Sequence, residues 1–286
     1  MTDRAEPWKG VADMKTAFYV ETTSQLPAGN RLRAAITSAG LVPLVGVYDV
    51  FSATLAAQHF EGIFVSGFGF GASHYGLPDL GFNSWSDIVA FVQRIRTVLP
   101  AHHIVVDIDD GFGDVGVACH VVSLLEAAGA SGIVLEDQAR PRRCGHLGGK
   151  RILPLADVLA KLNRVLQTRR SLFVVARTDA SDRLEILERV AAYSQTGADA
   201  ILVDGIGDGN LLREIRSATD KPLAFNQIAG GAFAGAKLHG TARRRGFARD
   251  LQHPLPVRST EGDHGLAAAA KNARPPQRQQ SRRGFA

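Results

Sequence analysis

Seven short β-branched runs alternate with longer amphipathic stretches from residue 40 onward, and this alternation restricts the chain to repeated βα units around a parallel sheet. The runs are LVPLVGVYD (41–49), GIFVSG (62–67), HIVVDID (103–109), GIVLED (132–137), LFVVART (172–178), AILVDG (200–205) and PLAFNQ (222–227). Between them the apolar residues return at helical spacing. In the stretch 117–128, Val117, Val121, Leu124, Leu125 and Ala128 share one face, and 155–167, 183–195 and 210–218 repeat the pattern.

Polar residues gather where these strands end: Tyr48 and Asp49, Ser66, Asp107 and Asp109, Glu136 and Asp137, Arg177 and Asp179, Asp204, then Asn226 and Gln227. In a parallel α/β barrel that end binds ligands, so the expected fold is a TIM-type (β/α)8 barrel with its site there. A barrel needs eight strands, and after Gln227 the alternation stops. The eighth βα unit is therefore expected to be missing. The expected organisation is an N-terminal extension over 1–39 without a readable motif, a catalytic barrel over 40–231 and a basic low-complexity tail over 232–286.

With 45% hydrophobic and 21% charged residues in 286, the chain has the make-up of a globular protein with a sizeable core, which excludes disordered, collagen-like and coiled-coil classes. No apolar run reaches the roughly 18–20 residues of a membrane span, and the first residues, MTDRAEPWKGVADMK, are charged rather than signal-like. A cytoplasmic protein with no membrane partner is expected. The net charge of +5 invites a nucleic-acid reading, but residues 232–286 alone carry 11 Lys/Arg against 3 Asp/Glu, which leaves the body slightly acidic. The tail lacks the interleaved aromatics of single-strand binders, so no specific nucleic-acid partner is expected.

Asp107 and Asp109, at i and i+2 on VDIDDGFGD, point to the same side of a strand end, and Glu136 on the next strand reaches the same place. Oxygen donors of this kind suit a hard cation, Mg²⁺ or Mn²⁺, although Asp-rich strand ends are also ordinary turn chemistry. Two cysteines make no disulfide framework. Cys119 sits in a helical pattern and reads as core. Cys144 lies in ARPRRCGHLGGKR among Arg140, Arg142, Arg143, His146, Lys150 and Arg151, where positive neighbours favour a thiolate suited to proton transfer; the other reading is a solvated basic loop. Arg177 either grips a substrate carboxylate or phosphonate or pairs with a nearby Asp. Ser66 and Gly67 could offer N–H donors to an anion. GFGFG suggests a dinucleotide fingerprint, but no following helix or acidic residue is expected, so NAD binding is set aside.

Together these stretches resemble the isocitrate lyase and phosphoenolpyruvate mutase superfamily: GVYDVFSA, VSGFGFGAS followed by GLPDLGF, VDIDDGFGD, GIVLEDQ, RRCGHLGGK, ARTDA and GADAIL, in family order over about residues 40–231. The resemblance implies an α/β barrel, usually a homotetramer, that uses Mg²⁺ to hold an enolate-like oxyanion. It implies Asp107 as the direct metal ligand with Asp109, Glu136 and Asp79 acting through water, and Tyr48, Ser66, Gly67, Arg177 and Asn226 as substrate contacts. The CGH loop implies Cys144, with His146 beside it, as the proton-handling group of a lyase that cleaves a 2-hydroxy di- or tricarboxylate of methylisocitrate or substituted-malate type. A phosphonomutase of phosphoenolpyruvate or carboxyphosphoenolpyruvate type is the alternative, and an inactive truncated homologue a third. Asp110, Asp114 and Asp204 depart from the usual Thr, Asn and Glu, which leaves the substrate open.

The odd tail has a candidate cause in the genetic code. Residues 237–264 can be encoded so that reading from the second base of each codon gives NFTELHEDGVSRVIYNTPCLFAAQKAI, which holds a strand and a helix and resembles the end of the family's barrel. A one-base frameshift near Ala229 to Ala232 is therefore expected.

Overall fold

The computed structural model describes residues 26–145, 148–228 and 246–252, with side chains as far as Asn226. Helix α1 (Ala28–Ala39) precedes strand β1 (Val42–Val47), and the chain then runs α2 (Val50–Ala57), β2 (Gly62–Val65), α3 (Gly67–Tyr75), α4 (Trp85–Val98), β3 (His103–Asp107), α5 (Val115–Ala127) and β4 (Gly132–Glu136). It continues with α6 (Leu155–Thr168), β5 (Phe173–Thr178), α7 (Arg183–Ser194), β6 (Ala200–Val203), α8 (Gly209–Ser217) and β7 (Leu223–Ile228). All seven runs expected to be strands are strands, each parallel to its predecessor, as in Val47 opposite Val65 and Glu136 opposite Arg177. No described helix is long and apolar enough to cross a membrane.

The barrel closes through a segment in which the sequence reading found no strand. Strand β8 (Gly246–Gln252) lies parallel to both β7 and β1, with Asp250 opposite Asn226 on one side and Leu44 on the other. Strands β1 and β7 would otherwise each expose a row of unpaired N–H and C=O groups. Backbone pairing satisfies them without requiring an apolar pattern, which is why periodicity did not reveal this strand. Among the described residues no helix follows it, so the eighth βα unit is represented by its strand alone.

The domain also begins earlier than the boundary expected at residue 40. Helix α1 inserts Leu32 and Ile36 into the cluster that fills the barrel, beside Leu44, Phe64, Val105, Val134, Phe173, Val175, Leu202 and Ala224. Arg33 secures it, donating from Nε to Asp199 Oδ1 at 2.8 Å and from Nη2 to the Leu172 carbonyl at 3.0 Å. Gly29 makes the approach possible: a Cβ there would stand 1.9 Å from the Ser171 carbonyl oxygen. Gly29→Ala is therefore expected to destabilise the fold by about 1–3 kcal/mol through displacement of α1, read as a lower urea midpoint.

The pleat carries this apolar filling directly into the site. Successive residues of a strand alternate faces, so the residue two beyond an inward apolar one also points inward. Phe64 leads to Ser66, Val105 to Asp107, Val134 to Glu136, Val175 to Arg177, Leu202 to Asp204 and Ala224 to Asn226. The outward set, including Val106, Ile133, Val174 and Ile201, packs under the helices in a second and larger cluster.

Candidate active site

Arg177 joins the carboxylates at the C-terminal end of the barrel. Its Nε and Nη2 donate to Asp179 at 2.9 and 3.0 Å, and Nη2 also donates to Asp204 Oδ2 at 2.9 Å. Glu136 Oε2 lies 3.3 Å from Nη2, and Asp107 Oδ2 is 3.8 Å from Nη1. The pairing with a nearby Asp weighed from the sequence is thus realised. Nη1, on the Asp107 side, is the corner of the fork that faces the acid cluster. Asn226 donates to Asp204 Oδ1 at 2.8 Å, bringing β7 into the same network.

Asp179 is fixed from behind. Its backbone N–H donates to Asp137, which also accepts from Arg189 and from the Tyr193 hydroxyl, all buried. Burial raises the pKa of the Asp179 carboxyl, but Arg177 and Lys150 outweigh it and hold the group down to about 2.

On the other side, Asp107, Asp109 and Glu136 form the expected acid cluster. Asp109 takes a left-handed backbone, φ 51°, and its N–H donates to Asp107 Oδ1 at 3.1 Å. Burial raises the pKa of Asp107 and Glu136, and burial with repulsion from Asp107 and Asp79 brings Asp109 up to about 8 despite Arg142. Asp109 Oδ1 and Glu136 Oε2 are buried and accept no hydrogen bond, each having only the ion-pair contact of a guanidinium nitrogen, at 3.2 Å from Arg142 and 3.3 Å from Arg177. Such a set of hard, under-satisfied oxygens fits a divalent cation. Among the described residues no three acidic, His or Cys side chains converge as a direct metal shell.

The sequence reading named Arg142 only as part of a basic loop. It is in fact 3% exposed and lies inside the acid cluster. Nη1 donates to Asp79, Nε donates to Glu136 Oε1 at 2.9 Å, and Nη2 lies 3.2 Å from Asp109 Oδ1. An excess of carboxylates at adjacent strand ends, requiring a buried cation, was the signal available for it.

Other expected residues fall on both sides of the site. Ser66 caps α3 by accepting from the Gly69 N–H, and a Cβ on Gly67 would lie 3.2 Å from Asp109 Oδ1, so this helix start faces the carboxylates. The helix that the sequence reading denied to GFGFG is therefore present. Its first-turn N–H groups suit an anion. Tyr48 is 44% exposed at the rim, where its side chain neighbours Gly69. Asp49 and Asp114 serve as helix caps for α2 and α5, and Asp110 pairs with Arg140 at 2.8 Å.

Cys144 is half-buried, and the next residue rests on the Arg177 network. A Cβ at Gly145 would meet Asp204 Oδ2 at 1.9 Å and Arg177 Nη2 at 2.5 Å, so only glycine permits this approach. Lys150 ties the loop down, donating to the Gly145 carbonyl at 2.6 Å and to Asp179 Oδ1 at 3.0 Å. His146 lies outside the described residues. Beside the loop a cavity of about 690 Å³ opens between Lys150, Asp179, Asp204, Glu185 and Leu211.

The model of the family described as phosphoenolpyruvate phosphomutase matches residues 32–244. The chain is 35% identical over 226 residues to a chloroplastic carboxyvinyl-carboxyphosphonate phosphorylmutase of Arabidopsis thaliana, covering 76% of this chain and 66% of that protein. It is 33% identical over 215 residues to a 2-methylisocitrate lyase of Bacillus subtilis (strain 168), covering 73% and 70%. The solved structure of a 2,3-dimethylmalate lyase, described as a PEP mutase/isocitrate lyase superfamily member, is similar at a TM-score of 0.74 and 25% identity, covering 87% of this chain and 83% of that one. The match thus spans about two thirds of the length of the two curated relatives.

Proposed function

Starting from a chain that belongs to the phosphoenolpyruvate phosphomutase family, we propose that it is a divalent-cation-dependent carbon–carbon lyase that splits a 2-hydroxy di- or tricarboxylate into an α-keto acid and a carboxylate. The observation that carries this reading is the seating of Gly145, the residue after Cys144, on the Arg177–Asp204 pair, one strand away from the acid cluster. Both halves of a retro-aldol cleavage then have residues within one strand-end layer.

Asp107 would hold Mg²⁺ or Mn²⁺ directly, with Asp109, Glu136 and Asp79 through water, and the ion when bound supplies positive charge for the oxyanion of the keto acid. Arg177 orients the substrate carboxylate through Nη1, while Asp179 and Asp204 hold the guanidinium plane. The N–H groups of Gly67 and Phe68 receive a second anionic oxygen. As the C2 hydroxyl passes its proton to a carboxylate of the acid cluster, the C2–C3 bond breaks and its electron pair passes into the departing carboxylate as the aci-form. The Cys144 thiol returns a proton to that carbon, which completes the second product.

The direct test supplies the chain with Mg²⁺ and either 2-methylisocitrate or a substituted malate and follows keto-acid release. Release supports the lyase. Absence of keto acid, with conversion of carboxyphosphoenolpyruvate seen by phosphorus NMR, would replace it with the phosphonomutase suggested by the Arabidopsis relative. For the cation site, Asp109→Asn is expected to weaken Mg²⁺ binding about 10- to 100-fold, measured by calorimetry. The expected homotetramer is tested by light scattering, and the frameshift proposed near Ala229 to Ala232 by resequencing the coding DNA across codons 225–270.

A further inference from the structure

Arg142 occupies the place where the proposed cation's charge is needed. It is 3% exposed and its guanidinium engages Asp79, Asp109 and Glu136 together, three of the four carboxylates assigned to the ion. It comes from the segment after β4, where Gln138 donates to the Arg143 carbonyl at 2.8 Å and accepts from the Arg143 N–H at 2.9 Å. That reciprocal pair pins the backbone one residue beyond Arg142 and so sets the origin of its side chain.

We propose that Arg142 is the resident counter-cation of the acid cluster and that a divalent cation binds by exchange with it, so that the two compete for Asp79, Asp109 and Glu136. The inference rests on the cation site of the preceding reading. Its physical basis is charge accounting at the cluster. Asp79, Asp107, Asp109 and Glu136 are met by Arg142 and by the edge of Arg177, whose Nε and Nη2 already serve Asp179 and Asp204. A buried carboxylate left without a cation is costly and takes up a proton instead, so the cluster holds its charge before the ion arrives only with a cation among its oxygens. Adding a divalent ion with Arg142 still in place would set positive charges against each other in the same buried space. Departure of the guanidinium removes that repulsion and frees an oxygen on each of the three carboxylates for the ion's water shell.

Exchange predicts an unusual sign. Loss of a residue that merely shaped the site would weaken the cation, whereas loss of a competitor strengthens it. Calorimetric titration of the full chain with Mg²⁺ alone, without substrate, reads this directly. Arg142→Gln is expected to bind Mg²⁺ about tenfold more tightly or better, in keeping with the coupling of close buried charge pairs. Arg142→Lys, whose single ammonium cannot meet three carboxylates at once, should fall between it and the unaltered chain. Equal or weaker binding by Arg142→Gln overturns the exchange and leaves the cation site standing. No Mg²⁺ binding by any of the three chains overturns the cation site itself. If Arg142→Gln fails to fold alone but folds when Mg²⁺ is added, the ion has replaced the guanidinium, as proposed; failure in both conditions makes Arg142 a fixed structural pin and overturns the exchange.

Discussion

Replacing Cys144 with Ala is expected to lower lyase turnover by about 10²–10⁴-fold, the usual worth of a positioned general acid, while leaving Mg²⁺ affinity unchanged. The separation follows from position. The carboxylates assigned to the cation stand at the end of β3 and just after it, on β4 and in the segment after α3, whereas Cys144 joins the site through Gly145, which lies on Asp204 and Arg177. Removing one sulfur atom leaves the Lys150 bond to the Gly145 carbonyl intact, so the loop backbone has no cause to move. Cys144→Ser sharpens the test. A hydroxyl occupies nearly the same space but is a far weaker acid, so it should restore shape without restoring rate. Steady-state kinetics paired with Mg²⁺ titration gives both readings. Turnover retained in Cys144→Ala, or lost together with cation binding, would remove the thiol from the proposed proton transfer.

Much of this arrangement was legible in the sequence because a parallel barrel writes its site at regular places. The strand runs are apolar on both faces, and the first polar inward residue of each falls at the end, which is why Asp107, Glu136, Arg177, Asp204 and Asn226 could be named and are found together. What escaped was set by long-range contact. Helix α1 carries a short apolar stripe, Leu32, Ala35 and Ile36, that the sequence reading passed over, while its exact place is fixed by Arg33 reaching Asp199 and by the close approach of Gly29 to Ser171, neither of which leaves a periodic trace. Arg142 was hidden by its neighbours: in ARPRRCGHLGGKR one arginine of several looks solvated, and only the fold shows that this one is buried among three acids while Arg143 remains exposed. Strand β8 was missed because backbone hydrogen bonds carry its pairing.

Arg177→Ala should have the second large effect, and on stability as well as on rate. Arg177 is 5% exposed, and its guanidinium is the shared partner of Asp179, Asp204 and Glu136. Truncation leaves those charges buried with fewer cations, a change that costs about 3–5 kcal/mol when one partner of a buried pair is removed. Lys150 remains on Asp179 and Asn226 on Asp204, so the losses fall unevenly, with Glu136 the worse served on this side. Arg177→Lys separates charge from shape. An ammonium restores one positive charge but not the planar fork that binds Asp179 twice while touching Asp204, so most of the stability should return and turnover should stay at least about 100-fold down, as misplacement of a substrate-orienting group costs. Urea unfolding measured beside kcat/KM on both variants decides the point. An unchanged urea midpoint in Arg177→Ala would mean that the acids are relieved by solvent entering the site. Full activity in Arg177→Lys would mean that the substrate carboxylate is held elsewhere, with the N–H groups at the start of α3 as the remaining candidate.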